Sequence, residues 1–202
     1  MIKYPNGSKM PASSIKNATN PNMSSYSNRG MDLEDDINST LEYYVEKDIA
    51  IITKRPTPIN IVKVDYSHGA RITDAYFEKQ STTDYNGIYK SRYIDFEAKR
   101  TLSTTSFPLH NITPHQIVHL ERVIRHGGIA FFVICFSKLD KYYLLDANFV
   151  INFYKNEKRQ SIPLKTIEDI AVEIKTGFIP RLHLIEAIDE VYFNEKIPAH
   201  NK

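Results

Sequence analysis

The sequence has few of the features that mark secreted and membrane proteins. It contains one cysteine, Cys135, which excludes an intramolecular disulfide. No apolar stretch approaches the roughly 18 residues that a membrane-spanning helix needs, and the first residues, MIKYPNGSKM, lack the apolar segment of a signal peptide. Cys135 lies in the apolar run GIAFFVICF, which predicts a buried, unreactive thiol. We therefore expect a soluble, cytoplasmic protein.

Acidic residues are missing from residues 1–30, whereas four basic residues are present there: Lys3, Lys9, Lys16 and Arg29. The segment is also rich in Ser, Asn and Pro, so it cannot bury enough apolar surface to offset the entropy lost on ordering. It is predicted to be a flexible basic arm, and the same composition suits an arm that orders on a polyanion. The remainder, residues 31–202, has the length of one ordinary domain.

Residues 31–202 contain both helical and strand-like patterns. Apolar residues recur at helical spacing in MDLEDDINSTLEYYVEKD, a short strand is expected over residues 49–52, and the sequence TPHQ at residues 113–116 has the features of a helix start. The runs GIAFFVICF and KYYLL are typical of strands, and closing helices are expected over residues 167–174 and 182–192. Because strands cluster in the middle and helices flank both ends, we predict the α/β class, with a mixed central β-sheet flanked by helices.

A hairpin is predicted to protrude from this sheet at about residues 56–76. Two prolines at its start mark a departure from the sheet, the following residues have strand composition, and SHGA at residues 67–70 suits a turn. Five cations on or near the hairpin are candidate DNA contacts: Lys54, Arg55, Lys63, Arg71 and Lys79. The same pattern fits an ordinary edge hairpin, and the sequence leaves that alternative open.

The stretch TDYNGIYKSRYIDFEAK, residues 83–99, places several charges in a segment that otherwise resembles a buried hairpin. Two turns compete for it. Asn86-Gly87 is the stronger turn signal by composition, and it would leave Asp84 far from Glu97. A turn at Lys90-Ser91 would instead place Asp84 directly opposite Glu97, with the two Cβ atoms roughly 4.5–5.5 Å apart.

The second turn gives these charges a chemical role. Two carboxylates at that separation repel each other, whereas a divalent cation between them makes the arrangement favourable, and Mg²⁺ prefers such oxygen ligands. Asp95, Glu97 and Lys99 share one face of the strand, so the Lys99 amine would lie beside the metal and offset charge on a phosphorus under attack. We therefore predict the turn at Lys90-Ser91 and a site for phosphodiester hydrolysis. The alternative is a solvated strand face with a simple Glu–Lys pair.

The spacing of three residues resembles the motif of the PD-(D/E)xK nuclease superfamily: twelve residues separate Asp84 from Glu97, and Lys99 follows two positions later. Longer segments, among them SYSNRGMDLEDD, KRPTPINIV, TSFPLHNITPHQIVHL and GFIPRLHLIEAIDEVYF, resemble the RecU family of Holliday junction resolvases. This resemblance implies a restriction-endonuclease-like fold with the hairpin as a stalk. It also implies a homodimer that binds four-way DNA junctions and nicks two strands symmetrically with Mg²⁺. Recombinase and branch-migration proteins are further expected partners.

The resemblance also implies roles for individual residues. Asp84 and Glu97 correspond to catalytic metal ligands, and Lys99 corresponds to the catalytic lysine. Thr83, through an oxygen, and Gln116 would complete the metal shell. For Gln116 the competing explanation is the helix cap, and one side chain cannot easily do both jobs.

Other candidates have a simpler explanation beside the functional one. Arg29 could contact phosphate. Glu34 or Asp35 could direct a carboxylate at the metal from the first helix, but the helix dipole explains acids there equally well. His115 and His119 have i, i+4 spacing, yet no third ligand for zinc is evident.

Three functions are compatible with these residues. The leading one is an Mg²⁺-dependent, structure-selective endonuclease that resolves Holliday junctions during homologous recombination and DNA repair. The rivals are a non-catalytic junction-binding recombination scaffold and a restriction-type nuclease that cuts linear duplex.

Overall fold

The computed structural model describes residues 33–77 and 82–193 of the 202-residue chain. The basic arm predicted over residues 1–30, with Arg29, lies outside the described residues, as does the predicted DNA contact Lys79. No helix in the described part of the chain is long and apolar enough to cross a membrane.

The described ranges contain five α-helices and ten strands. The helices are α1 (Leu33–Glu46), α2 (Pro114–Arg125), α3 (Ala147–Asn156), α4 (Leu164–Ile170) and α5 (Leu184–Tyr192), with a short 3₁₀ helix at Leu109–Asn111. The strands are β1 (Ile51–Lys54), β2 (Ile59–Asp65), β3 (Arg71–Phe77), β4 (Tyr85–Tyr89), β5 (Arg92–Thr101), β6 (Ser106–Pro108), β7 (Ile129–Phe136), β8 (Lys141–Asp146), β9 (Ser161–Pro163) and β10 (Val172–Glu173).

A six-stranded mixed sheet, in the order β1-β4-β5-β7-β8-β10, forms the centre of the fold. Strands β5 and β7 are parallel, and the other neighbours are antiparallel. Helices α1 and α5 pack against one face, and α2, α3 and α4 pack against the other. The predicted α/β class, with a mixed central sheet flanked by helices, is confirmed.

Aromatic rings support the middle of the sheet on its α1 face. Tyr85, Phe96 and Phe131, from β4, β5 and β7, stack with ring centroids 4.8 Å apart in each neighbouring pair. All three side chains are fully buried. Because side chains alternate along a strand, this packing directs the neighbouring Glu97 to the opposite face, toward α2.

One predicted helix needs correction, and one helix was missed. The helix expected over residues 167–174 ends at Ile170, and residues beyond it form β10, which pairs with β8. Helix α3 was not predicted, although Asp146 caps its first turn by accepting a hydrogen bond from the Asn148 N–H. Both segments are too short for their local sequence pattern to be decisive, so contacts with the sheet determine their structure.

The turn at Lys90-Ser91 is confirmed. Tyr85 pairs with Phe96, and the two turn residues have φ angles of 45° and 61°. Both angles lie in the left-handed region that a two-residue hairpin turn requires. Asn86-Gly87, the stronger local turn signal, lies within β4 instead.

Gly87 has a different reason to be glycine. A Cβ added there would lie 2.0 Å from the Ile51 carbonyl oxygen and 2.5 Å from the Ile52 Cα. Gly87→Ala is therefore expected to lower the free energy of unfolding by about 3 kcal/mol, because the backbone of a paired strand cannot move aside. Urea denaturation measures the effect. Ile88→Ala, at a side chain that is 49% exposed, is the control, and equal midpoints for the two variants would contradict this close approach.

Strands β2 and β3 form a separate two-stranded hairpin. Every residue of β3 is exposed, and β2 has no buried residue. The exposed side chains include large apolar ones: Ile59, Ile61, Val62, Ile72, Tyr76 and Phe77. Since neither face of the hairpin is covered by the core, the predicted protruding hairpin is confirmed.

Candidate active site

A polar face of β5 lies beneath α2. Asp95, Glu97 and Lys99 alternate with residues of the aromatic face, so all three point toward this helix. On α2, Gln116 contacts Glu97, and His119, about one turn further on, contacts Asp95. Two successive turns of the helix thus meet two successive carboxylates of the strand.

The three predicted catalytic residues meet at this face. Asp84 immediately precedes β4 and lies opposite Glu97 if the β4–β5 register is extended by one pair. Its Oδ2 accepts a hydrogen bond from the Ala98 N–H at 3.3 Å. The Oε1 atom of Glu97 lies 2.8 Å from the Lys99 Nζ and accepts a hydrogen bond from the Gln116 Nε2 at 2.5 Å. The other oxygen, Oε2, is buried and has no hydrogen-bond partner among the described residues.

The surroundings of Glu97 raise its pKa to about 8. Burial is the largest cause, because the charged form of a carboxyl is disfavoured away from water, and the negative charge of Asp84 raises the pKa further. The ammonium of Lys99 lowers it but does not outweigh the other two. Near neutral pH, therefore, Glu97 retains a proton unless a cation displaces it.

The stability of the metal-free protein is expected to decrease as the pH rises. The pKa of Glu97 is about 8 in the folded chain, against an ordinary value of 4.5. The folded state therefore holds this proton more tightly than the unfolded state. The resulting stabilisation is fully present below pH 4.5 and is lost as the pH rises through about 8. This one group contributes a slope of at most about 1.4 kcal/mol per pH unit.

Urea denaturation in EDTA at a series of pH values measures this effect. Glu97→Gln serves as the reference, because its uncharged side chain cannot contribute the slope. Parallel pH profiles for the wild type and Glu97→Gln would contradict the raised pKa.

The residues present suit a divalent metal ion. The Oε2 of Glu97 has no hydrogen-bond donor in the described part of the chain, and the negative charge of Asp84 disfavours the ionised form of Glu97. A bound cation would give Oε2 a partner and would offset the repulsion between the two acids. Mg²⁺ is commonly held by one or two carboxylates, with waters and substrate phosphate completing its shell. Across residues 33–77 and 82–193, no three His, Cys, Asp or Glu side chains are grouped so that they could hold a metal. The two acids supply carboxylate oxygens, the ligands that the hard cation Mg²⁺ prefers.

Thr83 and Gln116, the other two predicted metal ligands, lie beside the acids with their oxygens bound to protein. The buried Thr83 hydroxyl donates a hydrogen bond to Asp95. The Gln116 Oε1 accepts a hydrogen bond from the Thr113 N–H at 3.0 Å, while its Nε2 reaches Glu97. One amide thus caps α2 and hydrogen-bonds Glu97, whereas the sequence set capping against metal ligation as the two jobs that one side chain cannot easily combine. Direct ligation of metal by either residue stays a prediction.

Asp95 is a functional candidate that the strand periodicity places on this face, although no role was predicted for it. It is fully buried, and its Oδ2 accepts hydrogen bonds from the Arg55 guanidinium at 2.5 Å and the Tyr93 hydroxyl at 2.8 Å. Its Oδ2 also lies 3.0 Å from the His119 Nε2. Burial tends to raise the pKa of Asp95, but hydrogen bonds from His119, Thr83 and Tyr93 outweigh it and lower that pKa. The apolar-acid alternation of YIDFEAK was the signal that could have identified this residue.

The predicted DNA-contacting cations fall into two groups. Lys63 and Arg71 are exposed on the β2–β3 hairpin. Lys54 forms an ion pair with Glu34 of α1, and Arg55 forms one with a buried carboxylate. Arg55 is therefore part of the site's internal structure, and Glu34 is engaged with Lys54. DNA contact by any of these cations stays a prediction.

Comparison with known proteins identifies relatives over most of the chain. The family described as "Recombination protein U", RecU, matches residues 28–190. "Holliday junction resolvase RecU" of Geobacillus sp. (strain WCH70) is 47% identical over 199 residues, covering 96% of this chain and 99% of that protein. The protein of the same name from Geobacillus kaustophilus (strain HTA426) is 48% identical over 197 residues, covering 95% and 98%.

A solved structure shows a weaker likeness. Hjc of Archaeoglobus fulgidus, a Holliday junction resolvase from an archaeal hyperthermophile, has a TM-score of 0.40 and 12% identity, over 65% of this chain and 90% of that chain. A likeness of this size supports no argument about the site. The family match and the near-full-length relatives are decisive, and the chain belongs to the RecU family.

Proposed function

We propose that this chain is an Mg²⁺-dependent, structure-selective endonuclease that resolves Holliday junctions by symmetric nicking, in homologous recombination and DNA repair. The observation that carries the proposal is the pair Asp84 and Glu97 beside Lys99, with one buried Glu97 oxygen that lacks a donor. The name of the relatives, Holliday junction resolvase RecU, supports the same substrate. A non-catalytic scaffold would gain nothing from two acids whose proximity raises the pKa of one of them.

The chain's own residues have distinct tasks in this reaction. Asp84 and Glu97 supply carboxylate oxygens to Mg²⁺, which when bound lowers the pKa of water and neutralises charge on the phosphate. Lys99 holds its ammonium 2.8 Å from the Glu97 Oε1. From there it can donate a hydrogen bond to the attacking water or to a phosphate oxygen, and it stabilises the negative charge that develops in the transition state. Gln116 keeps the Glu97 carboxylate in one orientation.

We propose that the substrate is recognised by its shape. A homodimer would hold two active sites at a fixed separation, which fits a branched, pseudo-symmetric duplex and not a linear one. The exposed β2–β3 hairpin, with Lys63 and Arg71, would extend toward the centre of the junction. Action on cellular DNA accords with a cytoplasmic location.

Cleavage assays on two substrates test the function. The full-length chain is incubated with a four-way junction and with a linear duplex of the same sequence, each in Mg²⁺ or EDTA. We expect paired nicks in the junction with Mg²⁺, products that a ligase can rejoin, and little cleavage of linear duplex. Junction binding without cleavage in Mg²⁺ would favour the scaffold, and equal cleavage of both substrates would favour a restriction-type nuclease.

A further inference from the structure

A second polar cluster, the Asp95 cluster, lies beside the acid pair and consists of Asp95, Arg55, Thr83, Tyr93 and His119. Its centre is the fully buried Asp95 carboxylate. The partners of that carboxylate come from four segments: the connection after β1, the residues before β4, strand β5 itself and helix α2. One carboxylate therefore joins four segments of the chain that meet beside the candidate active site.

Two contacts connect the Asp95 cluster to Asp84. The Arg55 N–H donates a hydrogen bond to the Asp84 carbonyl oxygen at 2.7 Å, while the Arg55 guanidinium binds Asp95. Thr83, the neighbour of Asp84 in the chain, donates its hydroxyl to the Asp95 Oδ1. Asp84 immediately precedes β4, at the end of the β4–β5 ladder. The cluster thus attaches the Asp84 segment to β5, the strand that carries Glu97.

Stability alone does not account for such a cluster. A buried ion pair is often no more stabilising than apolar side chains of similar volume, because both charges lose their hydration. The Nε of Arg55 is also buried, and it has no hydrogen-bond partner in the described structure. The Asp95–Arg55 pair instead fixes the position of the segment that contains Asp84 relative to β5.

We propose that Asp95 and Arg55 are positioning residues that hold Asp84 close to Glu97, so that a divalent cation meets a preformed pair of carboxylates. This inference rests on the metal site of the proposed function. Neither residue touches the cation or the DNA in this role. Loss of the pair therefore weakens cation binding and leaves the affinity for a junction in the absence of metal unchanged.

Asp95→Asn in the full-length protein is the main test, with Mn²⁺ alone as the probe and electron paramagnetic resonance as the measurement of its binding. Removing a group that orients a metal ligand typically weakens metal binding about 10–100-fold. We expect the Mn²⁺ dissociation constant to rise by about tenfold or more. The Mg²⁺ concentration that gives half-maximal junction cleavage should rise in parallel, whereas junction affinity in EDTA should not change. Wild-type Mn²⁺ affinity in a folded Asp95→Asn protein would overturn the proposal.

Asp36 offers a matched control. It is also a buried acid, 1% exposed, and its carboxylate lies 3.1 Å from the Arg181 Nε and accepts a hydrogen bond from the Tyr142 hydroxyl at 2.8 Å. It packs on the opposite face of the sheet, away from α2. Asp36→Asn should lower the urea midpoint as Asp95→Asn does, but it should leave Mn²⁺ binding unchanged. Equal weakening of Mn²⁺ binding in both variants would assign the effect to general loosening and overturn the proposal.

A second variant keeps the test valid if Asp95→Asn does not fold, since that change leaves a half-buried arginine without its partner. Asp95→Asn combined with Arg55→Met removes both charges. Positioning predicts that this double variant binds Mn²⁺ as weakly as Asp95→Asn. Wild-type Mn²⁺ affinity in the double variant would mean that the pair only balances charge, which would overturn the proposal.

Failure of the proposed function gives a different result. A wild-type chain that binds Mn²⁺ through Asp84 and Glu97 but never cuts a junction would disprove the nuclease. The comparison of Mn²⁺ affinities between wild type and Asp95→Asn would still decide whether Asp95 positions Asp84.

Discussion

Asp84→Asn should reduce Mg²⁺-dependent junction cleavage by on the order of 10³-fold and leave junction binding intact. The substitution removes one of the two carboxylates that face each other across β4 and β5, and the neutral amide is a much weaker ligand for a hard cation. The substitution also removes the negative charge of Asp84, which helps to raise the pKa of Glu97. The metal-free variant should therefore be as stable as the wild type or more stable, which separates lost catalysis from lost folding.

Three measurements establish this result. Cleavage of a labelled four-way junction is followed at saturating Mg²⁺, junction binding is measured in EDTA, and urea denaturation reports stability. Asp140→Asn is the matched control, because Asp140 is exposed with a φ of 53° that asparagine tolerates. That control should cleave at the wild-type rate. Cleavage by Asp84→Asn at the rate of the control would remove Asp84 from the site.

Lys99→Met should reduce the rate of cleavage at saturating Mg²⁺ by about 10²–10³-fold. The Lys99 side chain is 18% exposed and its ammonium lies 2.8 Å from the Glu97 Oε1, so the charge is held in place beside the acid pair. Methionine keeps much of the length and apolar volume of lysine and removes only the charged donor. The loss should appear in the rate of the chemical step and not in junction affinity, because the ammonium acts on charge that develops during the reaction.

Lys141→Met provides the comparison for Lys99→Met. Lys141 also starts from a strand and pairs with a glutamate, since its Nζ lies 2.9 Å from the Glu168 Oε1, but the pair is exposed and lies on β8. Removing an exposed pair of this kind should change stability little, because solvent screens it, and should leave cleavage unaffected. If Lys99→Met and Lys141→Met cut junctions equally fast, Lys99 has no catalytic role.

The acid pair could be predicted because its position depends on local rules. Once the turn was assigned to Lys90-Ser91, the two-residue period of a strand determined which side chains face Glu97. The Lys90-Ser91 turn was predicted because it brings the acids together, although local turn propensity favours Asn86-Gly87, which would have separated them. The structure confirms that choice and gives Gly87 another role, contact with the backbone of β1.

The environment of Glu97 could not be predicted in the same way. Its pKa depends on burial beneath α2, and its orientation depends on Gln116, nineteen positions further along the chain. Arg55 was predicted to contact DNA because a cation beside a protruding hairpin is usually solvated, yet its guanidinium binds Asp95, forty positions away. No periodicity links residues at such separations.

For this chain, the order of the amino acids was enough to reveal the paired acids, the lysine beside them, the start of α2 and the exposed hairpin. Each of these depends on neighbours within a turn or a strand, where backbone geometry imposes a short period. Folding in three dimensions was needed to bury Asp95, to bring Arg55 to it and to leave one oxygen of Glu97 without a donor. Those features form where segments that are distant in the sequence pack together and exclude water. Burial and charge then act on groups that are far apart along the chain.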